Sequence, residues 1–240
     1  MGTRERVLQA ALDCFNEAGC DRTSVAWIRD RSGVSNGSLF HHFPNKESII
    51  EALYLEAMRE VQRGYWAVLD NQPASLRDSV DGIVRNLLLW IEANPHWARF
   101  LYSQGQLDWS TAAGSELRRL NNDLADAYRE WLAPFIASGE VRDLPMMIVV
   151  AIINGPVHAV AQRWLAGQVS GLLVSYADQL IDAAVAGLSG SPMAGSAPAR
   201  RQPTTGQITL TLTTEDGDVV AEGQAVTALT TVSSVCATEK

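Results

Sequence analysis

The sequence predicts an all-α body followed by a β-hairpin-like tail. Three observations lead there. Between residues 4 and 188 apolar residues recur every three to four positions. Glycines and Asn-Pro or Leu-Pro pairs cut this stretch into pieces of helix length. Past residue 189 the composition turns to Ser, Pro, Ala and Gly, and then to alternating β-branched residues. The expected organisation is a three-helix, helix-turn-helix head over residues 1–47, about six further helices over 48–189, and a linker with a hairpin-like extension over 190–240.

In chain order, residues 4–18 form an amphipathic helix with Val7, Leu8, Ala11, Leu12 and Phe15 on one stripe, stopped by Gly19. Thr23 or Ser24 caps a second helix that Gly33 ends, because a tight turn favours positive φ. Ser35 caps a short third helix carrying Leu39, Phe40 and Phe43. After Pro44-Asn45 a long helix starts near Lys46 and runs towards Leu69. Further helices are expected at 76–93, 95–105, 114–138, 145–166 and 174–188, separated by Asn94-Pro95, Gly139, Leu144-Pro145 and Gly167. In the tail, residues 207–213 alternate Ile208, Leu210 and Leu212 with threonines. Glu215-Asp216-Gly217-Asp218 is a turn signal, and residues 219–231 are β-rich again. A lone hairpin is marginal in water, so this one is expected to dock on the body, pair with a symmetry mate or stay free.

The net charge of −8 argues at first against a nucleic-acid partner. Its distribution removes the objection. Residues 1–50 hold six basic and six acidic groups, so the whole excess lies beyond them. Screening makes the local balance decisive, since charges more than about 10 Å away contribute little. Three widely spaced cysteines and a polar, charged start point to the reducing cytoplasm. The longest apolar run, 144–153, falls short of the roughly 20 residues of a membrane span, and no membrane partner is expected. No catalytic constellation, Gly-rich phosphate loop or cofactor motif is present. No metal site is expected either: His41 and His42 are adjacent on a helix and point about 100° apart.

The informative stretch is residues 23–47. After the turn Gly33-Val34-Ser35, the short helix opens with Ser35, Asn36, Gly37 and Ser38. Small residues let a helix approach base edges in the major groove, Asn36 can bond a base, and a helix N-terminus favours phosphate. The set Thr23-Ser24, Ile28, Gly33-Val34-Ser35, Gly37-Ser38-Leu39, Phe40-His41-His42-Phe43 and Lys46-Glu47 resembles the helix-turn-helix of the tetracycline-repressor (TetR) family of bacterial regulators. The resemblance covers about residues 4–188, more weakly beyond the head, through Asn94-Pro95 to Leu101, 139–145, and Asn154-Gly155-Pro156 with Arg163 to Gly167. It implies that Phe40, where the family usually has Tyr, contacts the DNA backbone or a thymine methyl without the hydroxyl. It implies that His41 and Lys46 meet phosphate, with Thr23 or Ser24 beside them. Arg29 stands where a generic helix-turn-helix has a small residue, and is expected either to alter the helix packing or to reach the DNA flank.

Trp90, Trp97, Phe100, Tyr102, Trp109, Tyr128, Trp131 and Phe135 each fit a core as well as a pocket, but so many aromatics in one helical domain favour an apolar ligand cavity. His158 is either a polar group inside that cavity or a satisfied core or interface histidine. The last two helices carry apolar faces through Ile148, Ile152, Val160 and Leu165, then Leu173, Leu180, Ile181 and Ala184. The resemblance implies that this pair forms a four-helix homodimer interface. The expected function is a non-enzymatic repressor that binds a palindromic double-stranded operator and leaves it when a small apolar effector binds. Two alternatives stand beside it. One is a protein related to acyl-CoA thioesterases, on a weak likeness of residues 207–230 to hotdog-fold strands. The other is a constitutive DNA binder without a ligand.

Overall fold

The computed structural model describes residues 2–104 and 108–190 in full, and the backbone of strands 204–213 and 219–229. The helices are α1 (Thr3–Ala18), α2 (Val25–Ser32), α3 (Asn36–His42), α4 (Lys46–Asp70), α5 (Leu76–Ala93), α6 (Pro95–Ser103), α7 (Ala112–Ala137), α8 (Met146–Leu165) and α9 (Ala177–Leu188), with a 3-10 turn at Leu173–Tyr176.

Most helix starts are set by a side chain that accepts a backbone N–H left unpaired by the first turn. Ser24 accepts from Trp27 N, Ser35 from Ser38 N, Asn45 from Ser48 N and Ser75 from Asp78 N. Pro95 opens α6 at a position where no backbone N–H is needed. Gly33 ends α2 in the left-handed region, φ 65°. Helix α7 starts earlier than residue 114, because Thr111 caps it and accepts from Gly114 N. The tail is antiparallel: β1 (Thr204–Thr213) pairs with β2 (Val219–Leu229), Leu210 facing Gly223. This hairpin belongs to a unit separate from the body. The turn signal at 215–218 lies outside the described residues.

Two apolar cores form. The first gathers Leu8, Leu12, Phe15, Ile28, Val34, Leu39 and Phe43 of the head with Ile49 and Leu53 of α4 and Phe100 of α6. The second joins Val61 and Tyr65 of α4 to α5, α8 and α9. Helix α4 is therefore shared: its N-terminal half seals the head and its C-terminal half lies in the body. It crosses α5 closely. A Cβ added to Gly82 would sit 2.8 Å from Val68 Cγ2. Helix α8 buries only the stripe Val149, Ile153, Val157 and Ala161, although it is apolar enough in composition to cross a membrane, with mean hydropathy 1.3 over 20 residues. Met147 is 75 % exposed, and Ile148 and Val150 are also exposed. At the body's end, Arg142 N donates to Leu188 O (2.9 Å) and Gly190 N to Glu140 O (2.7 Å), stitching the end of α9 to the α7–α8 loop.

Candidate nucleic-acid interface and ligand cavity

The head presents α3 outward. Ser35, Asn36, Gly37, Phe40, His41 and His42 are exposed, Ser38 is half-buried, and Leu39 faces the core. Phe40 is half exposed despite its large ring, which leaves an apolar surface beside the polar start of the helix. Helix α2 is tied to α1 by the ion pair Arg31–Glu17, two bonds of 2.6 and 2.9 Å.

Three expected contacts change character. Thr23 is only 2 % exposed, and its hydroxyl lies 2.8 Å from Gly19 O and 3.2 Å from Cys14 O. It locks the α1–α2 turn and is withdrawn from any phosphate; Ser24 beside it remains exposed. Lys46 Nζ donates to Cys20 O at 2.9 Å, which aims the ammonium and leaves it two more N–H donors. Arg29 donates to Asp30 Oδ1 (2.8 Å) and, through Nη1, to Asn36 Oδ1 (3.1 Å). The Asn36 carbonyl is thus engaged within the protein, and its amide N–H groups are what it can offer outward.

In the body, α4 to α8 surround a cavity of about 910 Å³, within the range that holds drug-sized ligands. Of the expected pocket residues, Trp90, Tyr102, Tyr128 and His158 line it. Five do not, and of these Trp109 is exposed. Trp97 and Phe100 turn to the head, where Phe100 stacks on Phe15 with centroids 5.8 Å apart. Trp131 and Phe135 pack on each other at 4.9 Å against the body core. For Trp97 and Phe100 the reason is helical geometry: α6 separates two cores, and its residues divide between them. Ala98, Leu101 and Tyr102 of the same helix face the cavity.

The α4 wall of the cavity, Tyr54, Met58, Gln62 and Tyr65, escaped the sequence reading. Its signal was a polar Gln62 within a stripe repeating at four-residue steps through Leu53, Ala57, Val61 and Tyr65. Gln62 is buried and donates to Asn121 Oδ1 of α7 at 2.6 Å. On α8, Asn154, His158 and Gln162 form a polar file at the same spacing along the cavity. The Tyr102 hydroxyl is 2.7 Å from His158 Nδ1. Burial pushes Tyr102 up to about 12 and lowers His158, so at neutral pH the phenol donates and the imidazole is uncharged. Tyr128 donates to Tyr65 O at 3.0 Å.

Of the residues expected at a dimer interface, Leu173 is fully buried within its own chain and is removed from that set. Ile152, Val160, Leu165 and Leu180 are partly buried against the chain's own core. The loop residue Leu172 is 67 % exposed beside them in sequence.

Residues 7–53 match the family described as bacterial regulatory proteins, tetR family. The chain is 24% identical over 185 residues to the probable acrEF/envCD operon repressor of Escherichia coli K12, covering 75% of this chain and 84% of the relative. It is 26% identical over 202 residues to the transcriptional repressor KstR2 of Mycolicibacterium smegmatis, covering 73% and 93%. Among solved structures it is similar to FadR of Bacillus subtilis in complex with stearoyl-CoA, with a TM-score of 0.59, 21% identity, and coverage of 76% and 98%. The head thus matches that family's model over both helices of its turn, and the body is similar in fold to solved regulators of the family.

Proposed function

We propose that the chain is a cytoplasmic, homodimeric repressor of a palindromic operator, released when a small, largely apolar effector fills the α4–α8 cavity. One observation carries the reading. Helix α4 begins at Lys46 beside the reading helix and reaches Tyr65 in the cavity wall without a break. Helix α6 makes the same connection a second time, with Phe100 in the head core and Tyr102 on the cavity. An effector that favours the DNA-incompetent spacing of the two heads shifts the population through these two struts.

The reading set is Ser35, Asn36, Gly37, Ser38 and Phe40, with Ser24, His41 and Lys46 on phosphates. Replacing Lys46 by Ala should weaken binding to all sequences and lower the salt slope by about one. The under-buried apolar face of α8, with Ile148 and its neighbours, supports pairing with a second copy better than a membrane, because its polar file faces the cavity. Doubling a short reading helix on a two-fold site also adds specificity. The relatives support the sign, since both curated proteins are named as repressors. The cavity volume favours an effector over constitutive binding. A thioesterase has little support: the sequence carries no catalytic constellation to accompany the hairpin, and purified protein should show no thioester turnover above background. The direct test is enrichment of bound duplexes from a random pool by the full chain. Two-fold symmetric sequences are expected; enrichment of asymmetric sequences, or of none, overturns the reading.

A further inference from the structure

Several of the cavity's polar atoms pair with one another, and the Asn154 side chain lies beside the Tyr65 phenol. Gln62 and Asn121 satisfy each other, Tyr102 meets His158, and Tyr128 meets the Tyr65 carbonyl. Asn154 Oδ1 is different. Among the described residues it and Asn16 Oδ1 are the two buried side-chain atoms without a hydrogen-bond partner, and only Asn154 lines the cavity. A buried acceptor left unmet is costly, and native structures seldom keep one without a use. The charges are equally telling. None of the described lining residues is Lys, Arg, Asp or Glu.

Resting on the reading of this cavity as the effector site, we propose that it takes an uncharged, mostly apolar molecule bearing one hydrogen-bond donor, a hydroxyl or N–H, which Asn154 Oδ1 accepts. A carboxylate placed there would lose its water beside an oxygen acceptor with no cation to meet it. His158, four residues along the same face, stays neutral and does not supply that charge. An ester or ether of the same shape fills the apolar volume but leaves Asn154 unmet. Discrimination against a ligand lacking the donor is the stronger kind, because the site's own polar atom is then stranded.

The experiment uses the full chain at pH 7.5 and three probes of equal chain length: 1-dodecanol, dodecanoate and methyl dodecanoate. A flexible alkyl chain adapts to an apolar cavity of any outline. Binding is followed by intrinsic tryptophan fluorescence, to which Trp90 in the wall responds. Dodecanol should bind at least tenfold more tightly than the other two. Asn154→Leu should erase that advantage while the ester binds at least as tightly as before, which also verifies that the variant is folded. Equal or tighter binding of dodecanoate overturns the inference, as does an alcohol preference that survives Asn154→Leu. Those outcomes leave the cavity as an effector site. Failure of all three probes to bind overturns that reading as well.

Discussion

At the scale of single residues, the head separates side chains that hold the turn from side chains that face outward. Thr23 belongs to the first group. Thr23→Val removes a buried hydroxyl but keeps its shape, stranding the Gly19 carbonyl. Stability should fall by about 1–2 kcal/mol, while operator affinity of the folded fraction is unchanged. Chemical denaturation and fluorescence anisotropy read the two effects, and a specific loss of affinity would restore Thr23 to the interface. Arg29 belongs between the groups. By holding the Asn36 carbonyl it fixes which face of that amide is offered to the DNA. Arg29→Ala should relax base preference, with the salt slope unchanged. A slope lower by about one would mean that Arg29 itself touches phosphate. The caps Ser24, Ser35 and Gly33 were legible in the sequence because capping depends on a few neighbouring residues. The burial of Thr23 was not, since it depends on how the end of α1 folds back.

At the scale of elements, helix positions were readable and their partners were less so. Periodicity reports that a helix has an apolar face, not which of two cores that face enters. Hence the aromatic count points Trp97 and Phe100 at a pocket, although they serve the head. Leu173 was placed on a surface for the same reason. The crossing of α4 and α5 is a further tertiary fact with a measurable consequence. Gly82→Ala gains about 1 kcal/mol of helix propensity. The new methyl, however, meets Val68, whose branched side chain has little rotamer freedom. Overpacking of this kind costs about 1–3 kcal/mol. The variant's Tm should drop, by roughly 2–4 °C for each net kcal/mol in a chain of this size. Adding Val68→Ala should recover most of the drop; if it does not, the close approach is not the cause.

At the scale of the whole molecule, the negative excess lies outside residues 1–50, so the chain's acidity does not oppose DNA binding by the head. The cavity also ties pH to stability. His158 has a folded pKa below its unfolded value, so the unfolded chain binds a proton that the folded chain refuses. The body should lose stability as pH falls through the ordinary histidine range near 6.5 and below. Tyr102, Tyr65 and Tyr128 face the same space and stay protonated throughout, because burial raises all three. His158→Gln should flatten the slope of Tm against pH in that window; an unchanged slope would assign it to other groups.

The stitch at the end of α9 decides how the body responds to force from the tail. The Arg142–Leu188 and Gly190–Glu140 backbone bonds make the body's last residues a small clasp, and Gly190 fits it because a Cβ there would lie 1.9 Å from Gly139 O. A pull on the chain beyond residue 190 therefore loads two hydrogen bonds across the clasp before it can unwind α9. Mechanically, the helix beside α8 is anchored at its own end, so its register does not depend on what is attached downstream.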